Sequence, residues 1–240
     1  MLFMEWIDAH PEVEVQLAEY QRLLGYPHGI VLEGRAEELA KWAHEWYAEY
    51  GRPWLYARET RCAAVEGAPL MIEGVPLHSG TLARRFAQAQ ADGAVLAAVS
   101  AGPEIEAEAQ RLWQEEKPDQ YYFLEVMGSA VVERLMAMTG AHLCAWAEDR
   151  EMAVLPHDSP GYPGWDVAEQ SRLLGLVKAA GALPGNLEAL GSGALRPKKS
   201  LLAVFPLTRH TEGVRRLTEL VACESCSLPR CGYRRKTGER

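Results

Sequence analysis

No apolar run in this sequence approaches the roughly 20 residues that a membrane-spanning helix needs. The opening Met-Leu-Phe-Met-Glu-Trp-Ile-Asp has no basic stretch ahead of an apolar core, so no secretory signal is expected. The cytoplasm is the expected compartment. Positive charge is scarce: 25 Lys and Arg against 33 Asp and Glu give a net charge of −8. An acidic chain repels a phosphate backbone, which argues against general nucleic-acid binding. Cysteine is sparse as well, five in 240 residues, an odd number that argues against a disulfide framework. The seven histidines show no H-E-x-x-H spacing, and no Ser-His-Asp order is legible. There is no internal repeat, no low-complexity tract and no linker dividing two domains.

What is present is ordinary globular material, 48% apolar and 24% charged, enough to bury a core without disulfides. Apolar spacing predicts a helix over 13–24 (Val15, Leu17, Tyr20, Leu23, Leu24) and another over 35–49 (Leu39, Trp42, Ala43, Trp46). Trp54–Arg58 reads as a strand. Leu70–Ile72 with Val75 and Leu77 reads as a hairpin crossing Glu73-Gly74. Ser79 suits the cap of a helix carrying Leu82, Phe86 and Ala89, followed by a buried strand over 94–99. Pro103 and three glutamates suit the start of the next helix. A long helix is predicted over 119–138, with Leu124, Met127, Val131, Leu135 and Met138 inward and Glu125, Ser129 and Glu133 along one polar edge. Gly128 costs that helix about 1 kcal/mol relative to alanine, a cost that close backbone approach would explain.

The segment His157-Asp-Ser-Pro-Gly-Tyr-Pro-Gly-Trp-Asp166 is dense in turn formers. Gly161 and Gly164 allow positive φ and close approach of a ligand, while Pro160 and Pro163 stiffen the chain. Asp166 and Glu169 read as a capping box for the helix carrying Leu173, Leu174 and Val177. By composition the segment is a structural turn first and a ligand platform second.

Four ordered blocks carry a resemblance. They are Glu125-Val-Met-Gly-Ser-Ala-Val-Val-Glu133; Ser159-Pro-Gly-Tyr162 with a tryptophan three residues on; Leu195-Arg-Pro-Lys-Lys-Ser-Leu-Leu-Ala-Val204; and Cys223-x2-Cys226-x4-Cys231 with Arg234-Arg235. Together, over roughly 70–235 and more weakly before that, they resemble the activation (S-adenosylmethionine-binding) region of cobalamin-dependent methionine synthase in its stand-alone form. The resemblance implies an α+β fold, a twisted, largely antiparallel sheet flanked by helices. Residues 1–220 would form one domain, and 221–240 a cysteine-containing basic tail.

It also implies a task. Such a region binds S-adenosylmethionine and docks on a cobalamin domain, where one electron and one methyl group restore methylcobalamin; the protein positions the sulfonium methyl and excludes water. Glu125, His157, Ser159, Gly161, Tyr162 and Lys199 are the expected cofactor-binding residues. Two departures stand out. The family has an arginine where His157 stands, a permanent charge and a bidentate fork exchanged for a ring that is mostly neutral at pH 7. Pro163-Gly164 replaces Gly-Asp. On this reading, ligand binding should tighten below about pH 6.5 as the imidazole charges.

Cys62 and Cys144 read as core residues. Cys223, Cys226 and Cys231 have spacing compatible with thiolate ligation of zinc or an iron–sulfur cluster, with His210, Cys62 or a partner as a fourth ligand; three reduced thiols are the alternative. The expected function is that of an accessory protein in reductive reactivation of a cobalamin-dependent methyltransferase. That corrinoid partner would bring the cobalamin, and a reductant protein the electron. A non-catalytic module for a corrinoid protein and an iron–sulfur electron donor are the alternatives.

Overall fold

The computed structural model describes residues 4–26, 30–63 and 68–220, so the calls on Cys223, Cys226 and Cys231 lie outside the described residues. The chain begins with β1 (Glu5–Asp8), α1 (Leu17–Leu23), α2 (Arg35–Tyr50) and β2 (Trp54–Ala63). The hairpin β3 (Leu70–Ile72) and β4 (Val75–Leu77) follows, then α3 (Gly80–Gln88) and β5 (Gly93–Ser100). Next come α4 (Glu104–Gln114), α5 (Pro118–Glu148), β6 (Ala153–Val154) and α6 (Gln170–Lys178). A small ribbon of β7 (Glu188–Ala189) and β8 (Leu195–Arg196) leads into β9 (Ser200–Thr208).

Every strand pairing is antiparallel. The main sheet runs β4-β3-β2-β5-β9-β6, and β1 joins β2 along Leu55–Arg58. β5 carries no charge and is flanked on both edges, as an uninterrupted apolar run suits. The two-residue period of the strands then sorts the core. Leu55, Val95, Ala97, Val99, Phe205 and Leu207 pack under the α1, α2 and α5 side, whereas Tyr56, Leu96, Ala98, Leu202 and Val204 pack under α3 and α6. The α+β fold, a curled antiparallel sheet flanked by helices, is thus the one expected.

Local signals translate directly. Glu73 and Gly74 take positive φ in the hairpin turn, and Ser79 Oγ accepts from the Leu82 amide to cap α3. Two boundaries differ from expectation. α5 runs ten residues beyond Met138, because Gly140 stays helical and offers its bare face to Leu217, 3.3 Å from where a β-carbon would sit. α1 is shorter at its start, and Leu17, expected inward, is 54% exposed because Tyr20, Leu23 and Leu24 take the core side.

One polar cluster within the fold has no local signal. Arg58, buried in β2, makes a bidentate pair with Glu73 (2.6 and 2.9 Å) and donates to the Leu176 carbonyl at 2.6 Å. Thr60 Oγ1 donates to the same carboxylate at 2.8 Å. The cluster ties the hairpin and the end of α6 to β2.

Candidate functional site

Strand β9 positions both groups of expected ligand residues. Just before its first residue, Lys198 and Lys199 reach the edge of α5: Lys198 Nζ lies 2.5 Å from Glu125 Oε1, and Lys199 Nζ lies 3.2 Å from Glu125 Oε2. Lys199 also donates to Ser129 Oγ at 2.9 Å. Gly128 is what allows this, since a β-carbon there would stand 2.8 Å from Lys199 Cγ and 2.9 Å from Ile105 Cδ1. The close approach inferred from the sequence is real. Lys198 adds a face-on contact with the Tyr121 ring, its Nζ 5.7 Å from the ring centre.

The second group runs along the outer edge of the same strand. The Asp158 and Val204 backbones exchange two hydrogen bonds of 3.0 Å, so the chain enters the turn as an extra rung of the sheet. The turn then closes on itself: the Tyr162 amide donates to the Ser159 carbonyl, the Gly161 amide to the Trp165 carbonyl and the Trp165 amide to the Tyr162 carbonyl. Gly161 and Gly164 both have positive φ. Trp165 is buried against α3, where its backbone pairs with Ser79, and Tyr162 is 41% exposed at the tip. Asp166 caps the following helical turn through the Ala168 amide, but Glu169 does not complete the expected capping box. It reaches instead to the His78 amide at 3.0 Å and to Arg172, binding the turn to the start of α3.

His157 lies under Tyr162, with Nε2 3.4 Å from the phenol oxygen and its ring 5.1 Å from that of Phe205. Burial, aided by the positive charge of Arg85, pushes its pKa down to about 4. The imidazole is therefore neutral throughout the physiological range, and the charging expected near pH 6.5 is displaced well below it. Arg85, from α3, donates through Nη1 to the carbonyls of Pro156 (2.7 Å) and His157 (3.2 Å). No spacing rule could have found this residue, because its partners are more than seventy positions away.

Polar atoms without partners gather at the turn. Asp158 Oδ2, Ser159 Oγ, Trp165 Nε1 and Gln170 Oε1 are all buried and make no hydrogen bond. Buried polar groups are nearly always satisfied, and four such atoms fall within the thirteen residues 158–170. Burial also raises the Asp158 carboxyl above its usual range. A separate cavity of about 770 Å3 lies beyond the Thr208 end of β9, lined by Cys144, Glu148, Met152, Val154, Arg209 and Arg216; it shares no residue with the turn. Among the described residues, no cluster of His, Cys, Asp and Glu could hold a metal ion.

No protein-family model and no curated protein matches the chain. A solved structure does: the crystal structure of the MetH reactivation domain bound to AdoHcy, with a TM-score of 0.62 over 90% of this chain and 80% of that one. The likeness is one of fold. Sequence identity is 12%, and the agreement lies in the helix-flanked antiparallel sheet described above. No helix among the described residues is long and apolar enough to cross a membrane.

Proposed function

We propose that the chain binds S-adenosylmethionine, or its demethylated product S-adenosylhomocysteine, at the turn 157–165. In this reading it serves in the cytoplasm as an accessory protein for reductive reactivation of a cobalamin-dependent methyltransferase. The observation that carries the reading is the likeness of nearly the whole chain to a reactivation domain whose structure was determined with AdoHcy. The turn supports it on chemical grounds. Gly161 has positive φ and no atom nearer than 3.7 Å to a built β-carbon, so its backbone is open to a ligand. Tyr162 supplies an exposed aromatic face, Ser159 an unsatisfied hydroxyl, and His157 one neutral hydrogen-bonding nitrogen. Glu125, on α5, and Lys199, just before β9, stand several strand residues from the turn and would orient the partner protein.

The corrinoid methyltransferase would bring the cobalamin as substrate, and a reductant protein the electron. The methyl group would pass from the sulfonium to the one-electron-reduced cobalt of that substrate, and S-adenosylhomocysteine would remain. The contribution of this chain is to hold the sulfonium in place and keep water out. Calorimetric titration with S-adenosylhomocysteine tests the binding step: a saturable one-to-one isotherm is expected, and no heat at millimolar ligand would overturn it. In that event the neutral His157, where the resembled family carries arginine, favours a module that binds a corrinoid protein without the nucleoside.

For Cys223, Cys226 and Cys231, iron–sulfur or zinc ligation is proposed from spacing alone. Iron and zinc analysis of anaerobically purified protein decides between cluster, structural metal and free thiols.

A further inference from the structure

The cavity beyond the Thr208 end of β9 has a structural origin. β6 pairs with β9 only at Ala153 and Val154, and the chain leaves the sheet after Thr208. It meets α5 again at Leu217, whose amide donates to Cys144 Sγ at 3.4 Å and whose side chain covers Gly140. Between these two anchors, parts of 209–216 and the end of α5 enclose about 770 Å3, within the size range of small-molecule sites. The floor is apolar: Cys144, Met152 and Val154 are buried, and Val214 is half-buried. The charged lining residues are all exposed, Arg209, Arg215 and Arg216 against Glu148 and Glu151. They leave one positive charge in a chain whose net charge is −8.

The arginines differ in what they already hold. Arg216 is committed to Glu148 through a bidentate pair of 2.6 and 2.8 Å, and Arg215 donates to the Glu219 carbonyl at 2.7 Å. Arg209 has neither a hydrogen bond nor an ion pair among the described residues, so its fork is open to an acceptor. It follows the Ala153–Thr208 pair directly, and the same register puts it beside Met152 of the floor. A planar guanidinium prefers a carboxylate, and a buried apolar floor prefers hydrocarbon. The two glutamates repel a polyanion such as a phosphate ester. We propose that this cavity is a second ligand site, for an apolar carboxylate whose charged end rests on Arg209 and whose hydrocarbon body lies on Met152, Val154 and Val214. It stands apart from the nucleoside reading, because it shares no residue with the turn.

The test uses 1-anilinonaphthalene-8-sulfonate, an apolar monoanion whose fluorescence rises in a dry site, titrated onto the full chain. Saturable one-to-one binding is expected. Octanoate should displace the probe, and uncharged octanamide should do so at least about tenfold less well, the least expected for a charge-assisted hydrogen bond. Arg209→Gln should weaken both probe and octanoate by a similar factor while leaving octanamide unchanged, and Arg209→Lys should retain part of the affinity. Val214→Trp, on the exposed loop, should fill the cavity and weaken all three compounds. Thermal melts confirm that each variant is folded. Absence of saturable probe binding, equal competition by octanoate and octanamide, or undiminished probe affinity in folded Arg209→Gln overturns the site. None of these outcomes bears on binding of S-adenosylhomocysteine, which calorimetry reads separately.

Discussion

The side chain of Lys199 crosses α5 at Gly128, where a methyl group on the glycine would come within 2.8 Å of the lysine Cγ. Gly128→Ala therefore sets two effects against each other. Alanine improves helix propensity by about 1 kcal/mol, and overpacking costs about 1–3 kcal/mol. Both obstructing atoms belong to side chains, so the lysine and Ile105 yield in part. A net loss of about 1 kcal/mol in denaturant melts is expected, with Lys199 displaced from Ser129. A stabilised variant would show that Lys199 moves aside freely.

The Arg58–Glu73 pair predicts acid sensitivity. The hydrogen bond from Arg58 holds the Glu73 carboxyl below its ordinary range, so the folded state keeps this proton off more strongly than the unfolded one. Its contribution is full above the unfolded value of about 4.3 and is lost as pH falls through the lower folded value. Removing one partner of a buried pair costs about 3–5 kcal/mol; Glu73, 38% exposed, sits below that range at about 2 kcal/mol. Urea melts of Glu73→Gln against wild type at pH 7 and pH 3 should show the difference shrinking at the lower pH.

His157 titrates at a pH well below that expected from the sequence. Its folded pKa of about 4 lies below the ordinary 6.5, so the unfolded chain takes up the proton first. Stability associated with this ring is present above pH 6.5 and declines as pH falls toward 4. In histidine-selective NMR, the ring protons of His157 should stay at their neutral positions from pH 7.5 down to about 5. A midpoint near 6.5 would mean the ring is solvated and Arg85 is distant.

The two glycines of the turn should respond differently. Gly164, at φ +88°, has Thr81 Oγ1 2.3 Å from a built β-carbon, whereas Gly161, at φ +96°, meets nothing nearer than 3.7 Å. Gly161→Ala carries left-handed strain alone, about 1–2 kcal/mol, and Gly164→Ala adds overpacking for about 2–4 kcal/mol in all. Thermal denaturation separates them; equal losses would contradict the packing against Thr81.

Two thiols should be inert in the folded chain. Burial pushes Cys62 up to about 12 and raises Cys144 as well. At pH 8 about one Cys62 in ten thousand is then thiolate, the reactive form. Peptide mapping after brief iodoacetamide treatment should find both unmodified until denaturant is added.

These contrasts explain what could be read from the chain alone. The Glu73-Gly74 hairpin, the Ser79 cap and most of the inward stripe of α5 (Leu124, Met127, Val131 and Leu135, with Met138 only half-buried) are legible because each is decided within a few residues. The end of α5 was misplaced because Thr139-Gly140 looks like a terminus unless Leu217 is known to cover it. Arg58 with the Leu176 carbonyl, 118 positions apart, and Arg85 with that of His157, 72 apart, have no local trace. His157, Ser159, Gly161 and Tyr162 do share one turn. Lys199, with Glu125 of α5 beside it, sits instead at the start of β9, about four strand residues from Val204, or about 13 Å at the usual rise.

The turn is fastened at both ends, to Val204 through Asp158 and to Ser79 through Trp165, leaving only the six residues 159–164 between. Two of these are proline, and three backbone hydrogen bonds tie the hoop together. A span so short and so braced cannot swing open like a lid; the proposed ligand would enter along its rim. Little conformational freedom remains to be lost on binding, so the entropy penalty falls on the ligand rather than on the protein. For the proposed ligand the hoop would be a preorganised receptor, and association would be set by encounter and orientation, without a slow rearrangement step.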